Sequence, residues 1–289
     1  MRSHSHRDPW ELSRSSVAWT TVVNASWLYF TQCIQAALLY RSSLALFVVT
    51  EAFAYAGFIA FWYKAAASNP NQTFYTPLAL VLYFALASFH HGIQHHTSSR
   101  DIGSDIRLGK LSYAIIRPFP YLLQALLRSI AFTITYGVLL LPLLVIAVKL
   151  VPGLSQELAK GWSIIPWWQY PIAIVIGIMA SCLIRIVIGL LAFDMSQVWG
   201  PDTLFIALYY SASGVIFPID LLPAKLLAAA QWTPMYYMVG FPVLTLMGRI
   251  SSAEFNEHAS RGLIVLLATS AVVAILWRRG IKRFEAIGI

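Results

Sequence analysis

Apolar stretches near the length of a bilayer crossing recur along the chain, and this recurrence limits its fold more than any other feature. They run at about Ser43–Tyr63, Pro77–Ile93, Ile130–Val148, Pro171–Ala192 and Gly262–Trp277, against the roughly 20 residues that a crossing helix needs. In lipid every backbone donor and acceptor must be paired internally. The expected class is therefore an all-α integral membrane protein, one transmembrane domain over residues 1–289. Composition agrees: 58% of residues are hydrophobic and 11% charged, where a soluble domain has about a quarter charged. From Thr203 the pattern breaks, because LFIALYYSASGVIF offers only about 15 apolar residues before Pro218, too few for an ordinary crossing. Pro218, Pro223, Pro234 and Pro242 then cut residues 219–248 into pieces too short to cross, and irregular backbone survives at membrane depth only inside protein or beside a cavity. This predicts a short fifth span followed by re-entrant helices in the outer leaflet, with Ser211, Ser213 and Gly214 allowing close helix approach.

The net charge of +8 could suggest nucleic acid, but Lys and Arg cluster beside the apolar runs, the positive-inside pattern of a membrane protein. Assigning alternate segments to opposite faces puts thirteen Lys and Arg on one side and six on the other, so six spans with both termini cytosolic are expected. The polar leader MRSHSHRDPWELSRSS precedes apolar sequence too long for a signal-peptide core. Residues 17–41 alternate Trp19, Trp27, Phe30 and Leu38 with polar residues such as Asn24 and Gln35, as an interfacial amphipathic helix does. Cys33 and Cys182 offer neither a disulfide framework nor metal spacing. His90, His91, His95 and His96 in HHGIQHH have spacings of four and five that could pair imidazoles on one helix face. With no Cys or acidic third ligand nearby, they read as the polar end of the second span and only weak metal candidates.

Between the second and third spans lies the longest charged segment, residues 100–120, RDIGSDIRLGKLSYAIIRPFP. Ile102, Ile106 and Leu111 form an apolar stripe at helical spacing, and such a stripe needs a partner surface. Gly103 and Gly109 limit the helix to about two turns, and Pro118 and Pro120 end it. It is not a phosphate-binding loop, since five residues separate Gly103 from Gly109 and Leu111 stands where a hydroxyl is required. Asp194 and Asp202 are the one weak pair of candidate catalytic carboxylates, and helix capping at a short loop accounts for both. Glu51 and Arg185 lie about seven or eight positions from the same membrane face, roughly 10 to 12 Å deep. An intramembrane ion pair between them is expected, because an unpaired charge there is costly.

Three stretches, DIRLGKLSYAIIRPFPYLLQ, SGVIFPIDLLPAKLLAAAQWTPMYYMVGFPVLTLMG and the terminal WRRGIKRFEAIGI, together resemble the membrane subunit of an ABC exporter of the type-two permease family. The nearer resemblance is to its bacterial branch of uncharacterised paired permeases. The resemblance implies a dimer with a second permease, itself or a paralogue, in the bacterial inner membrane, above two separate cytosolic ATPases. It makes the helix carrying Asp101, Ile102, Gly103, Asp105, Ile106, Arg107, Gly109, Lys110 and Leu111 the coupling helix that enters the ATPase. It makes residues 17–41 the interfacial elbow, and the re-entrant stretch with Ser213, Gly214, Pro218, Pro223 and Pro234 an outer gate. No catalytic residue or cofactor is expected in the chain, since ATP and Mg would sit on the partner, and no nucleic acid is expected as a ligand. The alternative is an ion- or proton-coupled secondary transporter using Glu51, although no inverted internal repeat of the kind many carriers show is present.

Overall fold

The computed structural model describes residues 9–39, 41–68, 75–94 and 98–284, and all regular structure among them is helical. In order these are α1 (Pro9–Leu39), α2 (Arg41–Ser68), α3 (Pro77–Ile93), α4 (Ser98–Arg107), α5 (Leu111–Ile115), α6 (Tyr121–Leu150), α7 (Leu154–Ile164) and α8 (Gln169–Leu190). There follow α9 (Trp199–Ala212), α10 (Ala224–Ala230), α11 (Pro234–Met238), α12 (Gly240–Leu246) and α13 (Ser252–Arg283). Among the described residues four stretches are long and apolar enough to cross a membrane: Ser42–Ala65, Tyr121–Leu150, Gln169–Phe193 and Ser252–Arg283. With 17 and 14 residues, α3 and α9 span about 25 and 21 Å at 1.5 Å per residue, short of a hydrocarbon core of about 30 Å.

Burial explains how α3 can be short. Leu80, Leu82, Tyr83, Phe84 and Leu86 are almost fully buried, because α3 is sheathed by α2, α6, α7 and α12. Thr76 starts the helix by accepting a hydrogen bond from the Ala79 amide, and Pro77 supplies the pre-set first turn. The long outer helices instead leave large apolar side chains exposed, including Phe53 on α2, Val138 on α6 and Leu267 on α13, as lipid-facing helices do.

Several element boundaries differ from the sequence expectation. The third span begins at Tyr121, nine residues before Ile130, because Tyr121, Ala125 and Ser129 are buried and continue the helix past the expected bilayer edge. Arg128 is therefore a helix residue and not part of a loop. The aromatic-rich connection over residues 153–170 contains α7, and Trp162 and Tyr170 meet edge-on at 6.3 Å. The helix expected at the interface, α1, begins at Pro9, before residue 17, and lies along α6 with Trp19, Trp27 and Leu28 exposed. A capping box of Ser251 and Glu254 starts α13, which ends in Lys282 and Arg283.

Residues 219–248 divide at the prolines. A 3-10 turn, Ile219–Leu221, follows Pro218; α10 follows Pro223; α11 starts at Pro234; and Pro242 lies in the first turn of α12. Tyr236, Tyr237, Met238, Phe241 and Val243 are essentially inaccessible, packed on α8 with α13 alongside. The broken backbone of α11 and α12 is thus enclosed by protein, the condition under which it is tolerated at membrane depth, whereas α10 and its flanks are largely exposed.

Candidate functional site

The α4–α5 unit is built into the chain through the stripe that was expected to seek a partner. Ile102, Ile106 and Leu111 are buried, sharing a cluster with Tyr121, Ala125, Leu183, Ile186 and Leu190. At Gly189 of α8 a Cβ would stand 2.6 Å from the Ile102 Cβ, and at Gly103 a Cβ would stand 2.8 Å from a Val198 methyl. Both glycines permit helix contacts that a larger residue would block. Docking to a partner through Ile102, Ile106 and Leu111 is therefore corrected: intramolecular packing consumes that face.

Polar tethers hold the unit in the same direction. The Ser129 hydroxyl donates to the Ser98 oxygen at 2.9 Å, and the Gln124 amide donates to the carbonyls of Ala114 and Phe119 at 2.8 and 3.1 Å. Asp105 accepts from the Tyr121 hydroxyl at 2.9 Å and from Arg128 at 3.1 Å, so it anchors α4 to α6. The opposite surface stays open: Leu108, Tyr113 and Ile116 are 56, 65 and 80% exposed, beside exposed Arg107 and Lys110. The positive φ at Gly109 turns the chain between α4 and α5.

Asp202 is the buried centre of the polar network. It is 2% exposed, lies in the first turn of α9, accepts from the Ser99 hydroxyl at 2.7 Å and from Arg100 Nε at 2.8 Å, and lies 3.8 Å from Arg185 Nη1. One carboxylate thereby joins α4, α8 and α9, with the helix dipole favouring its charge. Capping does not describe it, since α9 has no side-chain cap; exposed Asp194 instead pairs with Arg283 at 3.3 Å. The expected Glu51–Arg185 pair is also corrected, because Arg185 faces Asp202 and Glu51 faces His91 Nε2 at 3.8 Å. Equal depth placed the two residues at one level but said nothing of azimuth, and Asp202, from the short α9, is the nearer carboxylate to Arg185.

From half-buried Glu51 the polar chain continues inward. His91 Nδ1 lies 2.9 Å from the Tyr209 hydroxyl on α9, while His90 points elsewhere, its Nε2 3.2 Å from the Tyr170 hydroxyl. His95 and His96 lie outside the described residues. Among the described residues no three of His, Cys, Asp and Glu gather as a metal site. Glu51 also lines a cavity of about 230 Å³ between α2, α3 and α6.

Over the re-entrant segment, Tyr83 of α3 acts as a pin. Its hydroxyl donates to the Gly214 carbonyl at 2.8 Å and accepts from the Ile219 amide at 3.2 Å, across a turn in which Gly214 has φ +89°. Ser213 is buried beside it, so Ser213, Gly214 and Pro218 converge there, whereas Pro223 and Pro234 start separate helices. Tyr75, Asp220 and Arg249 close the ends of the segment. Asp220 accepts from the Tyr75 hydroxyl at 2.8 Å and from Arg249 Nε at 2.9 Å, and the Arg249 guanidinium lies 3.9 Å over the Tyr75 ring. Burial and then the Asp220 carboxylate raise the Tyr75 phenol pKa.

Sequence reasoning missed the roles of Asp202, Tyr83 and Tyr209. For Asp202 a signal exists: Trp-Gly-Pro-Asp puts Pro201 and then an acid at the start of an apolar run, the pattern of a helix first turn. Against these observations, a family model described as ABC-2 family transporter protein matches residues 71–288, about three quarters of the chain. No curated protein matches it.

Proposed function

The chain belongs to the ABC-2 transporter family, a family of transport membrane subunits, and from that membership we propose that it is the permease of an ATP-driven exporter coupled to separate ATPase chains. In this reading the chain crosses a bacterial inner membrane six times, with α3 and α9 as the two short spans and both termini cytosolic. It pairs with a second permease, itself or a paralogue. ATP and Mg reside on the ATPase, and this chain supplies no catalytic residue.

The observation that carries the reading is the α4–α5 unit. Its inner face is committed to α6, α8 and α9, while its outer face presents Leu108, Tyr113 and Ile116 amid Arg107 and Lys110. Apolar anchors inside a charged rim make an interaction surface, and this one fits an apolar cleft with acidic edges on an ATPase. The chain of half-buried Glu51 with buried His91 and Tyr209 favours a second reading, an ion- or proton-coupled carrier, which needs no ATPase.

Co-expression with a candidate ATPase, followed by affinity capture and measurement of ATP hydrolysis, separates the two. Capture of an ATPase is expected, with Leu108→Asp and Ile116→Asp each lowering association while membrane insertion stays intact. Full association of both variants would overturn the docking face, and transport driven by an ion gradient without any ATPase would overturn the exporter reading.

A further inference from the structure

The cavity between α2, α3 and α6 has an uneven chemistry. Its wall is almost wholly apolar, with Val48, Ala85, Leu140 and Leu144 among the lining residues, yet it holds the carboxylate of Glu51 and two aromatic side chains, Tyr55 and Phe89. Among the described residues no Lys or Arg lines it. Among the described residues Glu51 pairs with no Lys or Arg; the basic group facing it is the His91 ring at 3.8 Å, beyond hydrogen-bond length. Arg185, a candidate cation of similar depth, is held by Asp202. The other titratable groups around Glu51 are the phenols of Tyr55, Tyr209 and Tyr210, and none can supply a positive charge.

We infer that this cavity is a binding site for a small hydrophobic organic cation, its ammonium or comparable group against Glu51 and its apolar body between α2, α3 and α6. A carboxylate in an apolar setting is costly unless a counter-charge joins it, which selects cations. With no Lys or Arg among the described lining residues, an anion meets no counter-charge there. The aromatic rings of Tyr55 and Phe89 in its lining add attraction for a cation that reaches a ring face. Size is adequate: an apolar cavity of about 150 Å³ holds a benzene ring, and this one measures about 230 Å³. Access lies between α2 and α6, where Ala52 and Leu143 are exposed, so cargo enters from the side of the molecule that faces lipid. The site deepens the exporter reading and rests on it for the fate of the bound cation, but its existence can be tested alone.

The test uses the purified full chain in phosphatidylcholine nanodiscs, without ATPase or ATP, and measures equilibrium binding of benzyltrimethylammonium. Its charge is fixed, so pH changes the site and not the probe. Benzenesulfonate and toluene serve as anionic and neutral comparisons. Saturable binding of the cation is expected, with both comparisons at least tenfold weaker. Glu51→Gln should lower the cation affinity tenfold or more, and Ala52→Phe, which fills the entrance and keeps the charge, should remove binding. Should Glu51→Gln fail to fold, the Ala52→Phe result still decides. Benzenesulfonate bound as well as the cation, unchanged affinity in folded Glu51→Gln, full binding in Ala52→Phe, or no binding by the unaltered chain would each overturn the site. A negative result leaves the ATPase-docking face standing, and a failed ATPase capture leaves this site standing.

Discussion

Replacing Asp202 with alanine removes three relationships at once. The Ser99 hydroxyl and Arg100 Nε lose an acceptor at 2.7 and 2.8 Å, and Arg185, with a side chain 12% exposed, loses a carboxylate at 3.8 Å. The Arg100 contribution is small, because that side chain is 52% exposed and such pairs contribute at most about 1 kcal/mol. Stranding Arg185 is the larger effect, since breaking a buried pair by deleting one partner costs about 3 to 5 kcal/mol. Asp202→Ala should therefore destabilise the chain by about 3 to 5 kcal/mol, Arg100→Ala by about 1 or less, and Asp202→Asn by an amount between them. Exchanging both members of the deeper pair for apolar residues, Asp202→Leu with Arg185→Met, should be milder than Asp202→Ala alone, because no charge is left stranded. Unfolding by SDS titration of the purified variants in mixed micelles measures all four. The reasoning is refuted if Asp202→Ala costs no more than Arg100→Ala, or if the apolar double variant is as unstable as the sum of its single changes.

Four further outcomes are expected. Ile106→Ala should cost about 2 to 5 kcal/mol of fold stability, as truncations in packed cores do, and an effect on ATPase binding with unchanged stability would return Ile106 to the docking face. Tyr83→Phe removes the partner of the Gly214 carbonyl and the Ile219 amide, so unfolding should become about 1 to 3 kcal/mol easier per stranded group; an unaltered melt would show that the pin carries nothing. Cysteines at positions 225 and 249 should react with an impermeant thiol reagent from the same membrane face, and labelling from opposite faces would exclude a re-entrant segment. The charge exchange Glu51→Arg with Arg185→Glu should recover none of the loss caused by either single reversal, and a clear recovery would show that the two residues interact directly.

The apolar runs and the prolines were legible because each acts through a local rule. A run of about 20 apolar residues dictates a helix in lipid wherever it sits, and Pro218, Pro223, Pro234 and Pro242 interrupt helices through the missing N–H and the ring clash. What pattern reading could not decide was azimuth. The stripe of Ile102, Ile106 and Leu111 was correctly found, yet its partner could be another chain or α8, and only the close approach at Gly189 assigns it to α8. Gly103 was read as a weak point of its helix, although its lack of a side chain admits Val198. For Glu51 and Arg185, depth follows from counting residues, but rotation about each helix depends on neighbours far away in sequence. Asp202 comes 17 residues after Arg185, across the turn from α8 into α9, and His91 reaches Glu51 from the end of α3.

The two ends of α8 carry different attachments, and this has a mechanical consequence. Ile102 of α4 presses on Gly189, while at Gly177 a Cβ would stand 2.5 Å from the Tyr237 carbonyl of α11. Twelve residues separate the two points, about 18 Å along a stiff helix at 1.5 Å per residue. Such a helix is a lever, with the exposed Leu108–Ile116 surface coupled to one arm and the proline-cut segment seated on the other. A tilt of about 10° about either point displaces the other by about 3 Å over that length. That is comparable to the thickness of a methyl layer, enough to unseat a tightly packed tyrosine. A push of a few ångströms on α4 would therefore reach the proline-cut segment with little loss, and any flexible residue introduced into α8 between Gly177 and Gly189 would absorb the stroke before it arrived.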